Sequence, residues 1–404
     1  MLRYTNYRGL SVSLVENSWV KLYIAPMHGG RILQLELDGY GFFYVNPHPE
    51  GSWLNFGGEK IWPAPQGWSS SDKWPGPPDP VLDGGPYSIT ELDAGTGEDW
   101  VKLTSPFDNY TGLQITKEIH LSEISSEVVV KASFQNLGNH TVRWSVWPVC
   151  QMNTPFESPE NRYQIICPVN PDSKFENGFK VIHGLANNPQ NTFDSFGNLV
   201  VSYQYLVCKV GLDSNAGWVA WLDNVTGKVF VYKFDFDSQK VYPQNCSVEI
   251  WTTGRGLTYS RQLNVHKDDR SVNPPYMEAE LLSPMHEMRP GENALFEYRM
   301  ATSTIPANSG IKEVNKYAVI ASPLKKEIIE SSIAIAGKFG VFTNGTVKLK
   351  VNGTYLSEMR VSPSEGVNID FNIENGLFQK ESTFLISLDL FDADGHFLGI
   401  IDKN

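Results

Sequence analysis

A run of residues rich in both tryptophan and proline, residues 53–87, limits what this chain can fold into more than any other stretch. Four indoles and six prolines lie between residues 53 and 80: Trp53, Trp62, Trp68, Trp74, Pro63, Pro65, Pro75, Pro77, Pro78 and Pro80. Because proline fixes the backbone and lacks an amide donor, such a run is not expected to pair inside a sheet. Its indoles are too apolar for a solvated linker. The run therefore predicts an ordered loop lined by aromatic side chains.

This aromatic loop is predicted to form a carbohydrate site. Flat indole faces pack against the C–H faces of sugar rings, and a few polar side chains beside them can bond the ring hydroxyls. We assign Trp62 and Trp74 as stacking residues, with Lys60 and Gln66 as polar partners. Lys60 can bond paired hydroxyls or hold a uronate carboxylate. The alternative interpretation is an Ω-like loop whose indoles only close the end of a β-sandwich.

Alternation of apolar and polar residues dominates most of the remaining chain, for example at residues 113–121, 127–134 and 229–236. Period two indicates strands, and the 34 glycines and 25 prolines supply many turns. No segment of twelve or more residues has a helical stripe. The best short helix candidate, residues 323–331, can equally be a turn entering a strand. The fold class predicted is therefore all-β.

Two domains are expected, because 404 residues exceed the size at which a single core stops growing. Residues 279–301 have the pattern of a closing hairpin, and residues 302–310 are small, polar and suited to a domain junction. From about residue 319 the short strands restart with a spacing that resembles an immunoglobulin-like sandwich. The predicted domains are residues 1–305 and residues 306–404.

Charge, cysteine spacing and hydropathy exclude several classes of function. A net charge of −12 without a cluster of Lys or Arg argues against a nucleic-acid partner. The four cysteines have no metal-like or redox spacing, and no spaced His pair is present, so we expect no metal, no cofactor and free buried thiols. Disulfides remain the alternative for an exported protein.

No charged segment followed by an apolar one opens the chain, and no apolar run reaches membrane length. We therefore expect a soluble protein without a membrane span, cytoplasmic as given, or exported if the sequence is a processed form. The sequence leaves the oligomeric state open. An Asp-rich segment, residues 389–395, superficially suggests a calcium loop but lacks the later Glu, which favours a strand running into a turn.

Four short motifs follow one another in a set order. They are IAPMHGGRI at residues 24–32, GGEKIWPAPQ at 57–66, LDGGPY at 82–87, and a late Glu strand followed by RPGE at 289–292. This order resembles the galactose-mutarotase-like superfamily over roughly residues 1–305, and GGEKIWPAPQ and LDGGPY are similar to a bacterial branch of it. The resemblance implies a β-supersandwich and a sugar ligand, but no particular reaction.

Catalytic residues carry over only in part from this resemblance. True mutarotases use two histidines and a late Glu as general base, and by order these positions fall near Asp83, Trp147 and either Glu278 or Glu280. Both histidines are absent. Because anomer interconversion needs one group to take a proton and another to give one, the sequence argues against ordinary mutarotase activity.

Other acids can take over such a role. Glu278 and Glu280 lie two apart on a predicted strand and therefore point to the same face. On a pocket wall their mutual repulsion would separate their pKa values and give one acid and one base, with Asp83 as a third catalytic candidate. The alternative is that this face is simply the solvated side of an antiparallel sheet.

Four further residues complete the predicted substrate site. Arg31, beside two glycines, can hold a ligand or cap a hairpin, and His28 can approach the pocket rim. Gln151 is a candidate reader of hydroxyl groups and Trp147 lies beside it. The function predicted is a carbohydrate-binding protein that acts on a sugar or glycan as an epimerase, lyase or hydrolase with a carboxylate base. A non-catalytic binding module and a structural or assembly protein on the same fold are the alternatives.

Overall fold

A computed structural model describes residues 2–46, 55–93, 99–155, 161–259, 265–329, 332–374 and 384–404. Trp53, the first indole of the predicted aromatic loop, lies outside the described residues. The regular structure of the described residues consists of strands and one 3₁₀ helix, Pro243–Asn245. The all-β prediction is confirmed. Among these residues there is no helix with the length and hydropathy needed to span a membrane.

Eighteen strands precede the 3₁₀ helix. They are β1 (Arg3–Tyr7), β2 (Leu10–Glu16), β3 (Val20–Ala25), β4 (Arg31–Leu37), β5 (Tyr40–Gly41), β6 (Glu59–Ala64), β7 (Ser88–Asp93), β8 (Asp99–Thr104), β9 (Leu113–Leu121), β10 (Glu127–Asn136), β11 (Val142–Asn153), β12 (Tyr163–Pro168), β13 (Lys180–Gly184), β14 (Asn191–Phe193), β15 (Asn198–Ser202), β16 (Cys208–Leu212), β17 (Trp218–Asp223) and β18 (Lys228–Phe234).

Fourteen strands follow it. They are β19 (Val248–Thr252), β20 (Gly256–Leu257), β21 (Val265–His266), β22 (Tyr276–Leu281), β23 (His286–Met288), β24 (Asn293–Thr304), β25 (Glu313–Val314), β26 (Ala318–Ile329), β27 (Ser332–Val341), β28 (Gly345–Val351), β29 (Thr354–Val361), β30 (Val367–Glu374), β31 (Ile386–Phe391) and β32 (Phe397–Lys403).

Most strands of the first three hundred residues belong to two large antiparallel sheets. The first has the order β1-β2-β3-β4-β6-β11-β22-β19-β16-β13, with β5 on β4 and β23 on β11. The second has the order β14-β15-β12-β17-β18-β24-β10-β9-β8-β7. Side chains of β10 alternate strictly between buried and half-buried, as expected where one sheet face is covered. Long-range pairing thus places β6, β11 and β22 side by side.

The chain divides into two compact units. The first contains Met1–Glu123, Val128–Trp221 and Val231–Met300, and the second contains Ile124–Glu127, Leu222–Phe230 and Ala301–Asn404. In the second unit, two four-stranded sheets, β25-β26-β27-β30 and β29-β28-β31-β32, contribute to one apolar core. The predicted domain boundary at residues 305 and 306, and the immunoglobulin-like character of the second domain, remain proposals.

Two local expectations are corrected by the strand pairing. Residues 323–329 continue strand β26, which pairs antiparallel with β27, so the helical alternative for this segment is wrong. Pro63 lies inside strand β6, although the proline-rich run was not expected to pair. β6 pairs with β11 along its length but with β4 only at Glu59 opposite Ile32, so Pro63 has a partner strand on one side only. A proline is tolerated where one side of the strand needs no donor.

Candidate functional site

Five neighbouring strands, β6, β11, β22, β19 and β16, form a continuous face on which charged and aromatic side chains meet. Directly opposed residues form two rows on this charged face, one with Lys60, Val149, Glu280, Glu249 and Gly211, and the next with Gln151, Glu278, Trp251 and Lys209. Opposed residues of antiparallel strands point to the same side of the sheet. The strand spacing therefore brings both predicted carboxylates together with Lys60 and Gln151.

Glu278 lies between Lys60 and Gln151. The Lys60 Nζ atom is 3.5 Å from the Glu278 Oε1 atom, and the Gln151 amide Nε2 donates a hydrogen bond of 2.8 Å to the same oxygen. Burial lowers the pKa of Lys60, and the charge of Glu278 opposes this shift. The Lys60 Nζ atom also lies 4.7 Å from the centroid of the Trp62 ring, at a distance that allows a cation–π interaction.

Two atoms of the side chains that flank Glu278 are buried without a hydrogen-bond partner among the described residues. They are the Lys60 Nζ atom and the Gln151 Oε1 atom, whose residues are only 2% and 1% exposed. One is a donor and the other an acceptor. Leaving buried polar atoms unpaired costs free energy, so such a pair is typical of a place where a ligand or a water completes the bonding.

Glu280 has a different environment from Glu278. It is fully buried, the Lys209 Nζ atom lies 3.0 Å from its Oε2 atom, and the Trp147 indole N–H donates a bond of 2.8 Å to that oxygen. Burial raises the pKa of Glu280 to about 8, although Lys209 lowers it. Lys209 also pairs with Glu249 at 2.8 Å. Burial lowers the pKa of Lys209, but Glu249 and Glu280 raise it by a larger amount. The pKa of Lys209 therefore lies above its ordinary value.

A cleft opens beside the Lys209 end of the charged face, with an empty volume of about 290 Å³. The residues that give it chemical character are two amides, two aromatic rings and one ion pair: Gln66, Gln244, Trp147, Tyr259, Lys209 and Glu249. Gln66 is half-buried and belongs to the predicted aromatic loop. The structure thus places the predicted residues Gln66 and Trp147 in one cleft.

Arg31 and Asp83 form a buried link between backbone segments. The Arg31 guanidinium donates to the carbonyl oxygens of His28, Gly57 and Asp83 at 2.6 to 2.8 Å, and to the Asp83 carboxylate at 3.0 Å. Asp83 also accepts the Trp62 indole N–H at 3.0 Å. Protein groups therefore already bind both side chains, and the predicted roles of Arg31 in substrate binding and of Asp83 in catalysis stay predictions.

Trp74 has no exposed surface, and its indole N–H donates to the Asp79 carboxylate at 3.0 Å. Its ring centroid lies 5.2 Å from that of Trp62, which in turn packs edge-on against Trp147 at 5.3 Å. The ring of Trp74 is therefore packed inside the protein, and its stacking on a sugar stays a prediction.

His28 lies in the turn between β3 and β4. Its ring is half-buried with its centroid 4.2 Å from that of Phe56, and burial together with the nearby Arg31 lowers its pKa. The predicted contact of His28 with a substrate remains a prediction.

Several residues of the site were not predicted from the sequence. Lys209 and Glu249 each stand in a strand whose other residues are mostly buried and apolar, CKVGL and VEIWT, and a lone charge in such a strand is the signal that could have found them. Four half-buried rings form an aromatic rim beside the cleft: Trp68, Tyr259, His183 and Trp251. Successive centroids along this rim lie 5.4, 5.4 and 6.3 Å apart.

The opposite side of β6 carries a structural ion pair. Glu59 pairs with Lys117 of β9 and accepts a hydrogen bond from the Tyr298 hydroxyl of β24, and all three side chains are buried. β9 and β24 belong to the second large sheet. This buried cluster therefore ties the two sheets together directly behind Lys60.

Two carboxylates and one imidazole lie close together after strand β31. Within the described ranges, Asp392, Asp394 and His396 are the group of His, Cys, Asp and Glu side chains whose ligand atoms lie close enough together to hold a metal ion. The Asp392 carboxylate accepts the backbone N–H groups of Asp394 and His396, as in an ordinary polar turn after β31. The four cysteines are buried free thiols.

Comparison with protein-family models and with curated proteins gives no match. Among solved structures, a TPR-domain containing protein from Parabacteroides distasonis matches 72% of this chain at 14% identity with a TM-score of 0.50. The chain spans 47% of that protein, about half its length.

A putative mutarotase from Salmonella typhimurium matches 75% of this chain and 94% of its own at 10% identity, with a TM-score of 0.49. A galactose mutarotase-like protein from Clostridium acetobutylicum matches 75% of this chain and 98% of its own at 12% identity, with a TM-score of 0.48. At these identities the likeness concerns the fold alone.

Proposed function

We propose that this protein binds a carbohydrate in the cleft beside the charged face. The observation that carries the proposal is the lining of the cleft, in which the rings of Trp147 and Tyr259 stand beside the amides of Gln66 and Gln244 and the ion pair of Lys209. An aromatic wall with a few polar anchors is the composition of a sugar site. The half-buried aromatic rim continues this wall from Tyr259 to His183 and Trp251, which belong to strands β13 and β19 of the first sheet.

The cleft is open to solvent, so a ligand there would rest against its wall and would not be enclosed by it. The ring of Tyr259 offers a stacking surface in this cleft.

A catalytic role is the second candidate function. It is favoured by the different environments of Glu278 and Glu280, because burial raises the pKa of Glu280 to about 8 and so keeps a proton on it near neutrality. A proton donor beside a second carboxylate suits epimerisation, elimination or hydrolysis of a glycan. Glu280 is fully buried behind Trp147 and Lys209, so binding without turnover is the simpler proposal.

The test is intrinsic tryptophan fluorescence titrated with D-glucose, D-galactose, D-mannose, their uronates and common disaccharides. We expect saturable quenching or a blue shift with at least one of them. Replacement of Tyr259 by Ala should weaken that binding by roughly 2- to 10-fold, the worth of one aromatic contact. Tyr4→Ala is the matched control, because Tyr4 is 71% exposed on the edge strand β1.

Product analysis then separates the two candidates. Turnover of a bound sugar that disappears in Glu278→Gln or Glu280→Gln while affinity persists would establish the catalytic role. Binding without any product would leave a non-catalytic module. A flat fluorescence response to the whole panel would contradict carbohydrate binding and favour a structural or assembly protein.

A further inference from the structure

Strand β29 of the second unit is an edge strand with an exposed side. β28 pairs with it on one side, regularly over residues 357–361, and among the described residues no strand pairs with it on the other. Six of its eight residues are exposed, and Tyr355 and Met359 are 46% and 42% exposed. The strand contains no proline, which would remove a backbone donor. Its outer N–H and C=O groups can therefore pair with a further strand.

The side chains of this edge are arranged by face. Glu358 lies opposite Lys348, and its carboxylate is 3.2 Å from the Lys348 Nζ atom, so both point to the outer face of the sheet. Met359 lies opposite Val347, a residue of the apolar core, and so points to the inner face. Arg360 is two residues from Glu358 and shares its face. The edge thus carries an acid and a base on one face and an exposed methionine between them on the other.

A second copy of the same strand fits this edge in one register. Two identical strands related by a two-fold axis run antiparallel, and opposed residues point to the same face. The axis must therefore pass through a residue, because an axis between two residues would oppose an outer to an inner side chain. An axis at Glu358 opposes two carboxylates, and an axis at Arg360 opposes two guanidinium groups. Axes at Ser357 or Val361 place half of the regular part opposite residues outside it.

The axis that remains is at Met359. It sets Glu358 of each copy opposite Arg360 of the other and brings the two Met359 side chains together. Opposite charges directly across a strand pair are stabilising and like charges are destabilising, so the same side chains favour this register and disfavour its neighbours. The Glu358 side chain is 67% exposed although it pairs with Lys348, so its carboxylate can accept a second cation.

We propose that the chain forms a two-fold dimer in which the β29 strands of two copies pair antiparallel about Met359. Their two four-stranded sheets then become one continuous sheet. The contact has a methionine pair at its centre and two ion pairs beside it, and both copies contribute the same patch. The proposed sugar site lies in the first unit, and this inference does not depend on it.

The experiment measures the molar mass of the full chain by sedimentation equilibrium over a wide range of protein concentration. We expect a monomer–dimer equilibrium. Arg360→Glu opposes two carboxylates twice in each dimer and should weaken association by roughly 10-fold or more. The double variant Glu358→Arg, Arg360→Glu exchanges the charges, recreates opposite pairs between the copies and should restore most of the association.

Arg299→Glu is the matched control. Arg299 also lies two residues from an acid, Glu297, at 3.5 Å, but on the interior strand β24. It should leave association unchanged.

Disulfide cross-linking tests the register itself. In Met359→Cys the two new thiols meet at the axis, and mild oxidation with oxidised glutathione should link the copies. In Ser357→Cys the thiols stand four residues apart along the strands, about 13 Å, and should not link. The four native cysteines are buried, which keeps the background low.

A monomer at every concentration would overturn the inference. So would a dimer that Arg360→Glu leaves intact, or one in which Ser357→Cys links as readily as Met359→Cys, because either would show that another surface or register is used. Should Arg360→Glu fail to fold, the two cysteine variants still decide the question. Each of these outcomes leaves the proposed sugar binding untouched.

Discussion

At the scale of single residues, the fold changes the protonation of Glu280. The carboxyl group is fully buried, and burial raises its pKa from 4.5 to about 8. Lys209 and the Trp147 indole hold the group in place but do not restore its ordinary pKa. The folded protein therefore keeps a proton on Glu280 over a range in which the unfolded chain has lost it.

This difference predicts a pH dependence of stability. Between about pH 4.5 and pH 8 the folded state binds more protons than the unfolded state, so the free energy of unfolding falls as pH rises, by at most about 1.4 kcal/mol per pH unit from this group. The contribution is fully present below pH 4.5. In Glu280→Gln it is absent, and urea unfolding measured from pH 5 to pH 8 should show a flatter profile than the parent.

Glu118→Gln serves as control and should keep the parent's slope, because Glu118 forms an ion pair with Lys102 on a solvent-accessible part of the second sheet. Identical slopes for the parent and Glu280→Gln would show that the carboxyl group of Glu280 titrates at the same pH in both states. That outcome would also remove the proton donor on which the catalytic candidate depends.

At the scale of elements, the turn between β3 and β4 depends on a close approach of two backbones. Gly29 has a φ of +72°, and its N–H donates to the Gly85 carbonyl at 2.8 Å. A Cβ atom at Gly29 would overlap the carbonyl oxygen of Asp83. Position 29 therefore needs glycine for two reasons. Its φ is positive, and a side chain there would collide with the backbone of Asp83.

Gly29→Ala is predicted to destabilise the protein more than Gly39→Ala. Gly39 has a similar φ of +76° in the turn between β4 and β5, and a Cβ atom there meets nothing within 4 Å. Both substitutions incur the cost of a positive φ, about 1–2 kcal/mol, and only Gly29→Ala adds the overlap with Asp83. Guanidinium unfolding should give a clearly larger loss for Gly29→Ala. Equal losses would contradict the close approach.

Strand periodicity explains which parts of the site were predictable. Because side chains alternate along a strand, the spacing of Glu278 and Glu280 alone puts both on one face. Lys209 and Glu249 reach that face from other strands through long-range pairing, which a single sequence does not encode locally. The burial of the Trp74 ring was not predictable, because composition marks an indole but not the direction in which it packs.

The fold, like the site, was predictable from local sequence signals but not from long-range strand pairing. Alternation and turn residues predict an all-β chain, and every described strand bears this out. Local signals failed where neighbours decide the outcome. Pro63 is accommodated in β6 because that strand has one partner beyond Glu59, and residues 323–329 extend β26 because β27 pairs with them. Tertiary pairing outweighs local propensity in both cases.

At the scale of the whole molecule, charge sets the class of partners. The chain has 45 acidic and 33 basic residues and a net charge of −12. Such an excess repels polyanions at long range, and in the charged face Lys60 is balanced by Glu278 and Lys209 by Glu249. Therefore neither the net charge of the chain nor the charged face supplies the positive electrostatic potential that a nucleic acid or a sulfated glycan requires.

We accordingly predict that the protein passes a heparin column without retention at about 0.15 M salt and does not shift a DNA duplex in a gel, while it binds an anion-exchange resin. Because electrostatic attraction grows as salt is removed, the heparin test is repeated at about 0.02 M salt, where any weak basic surface would become visible. Retention that weakens steeply with added salt would reveal a cluster of uncompensated Lys or Arg. Passage at both salt concentrations leaves hydrogen bonds and ring contacts as the means by which the cleft holds its ligand.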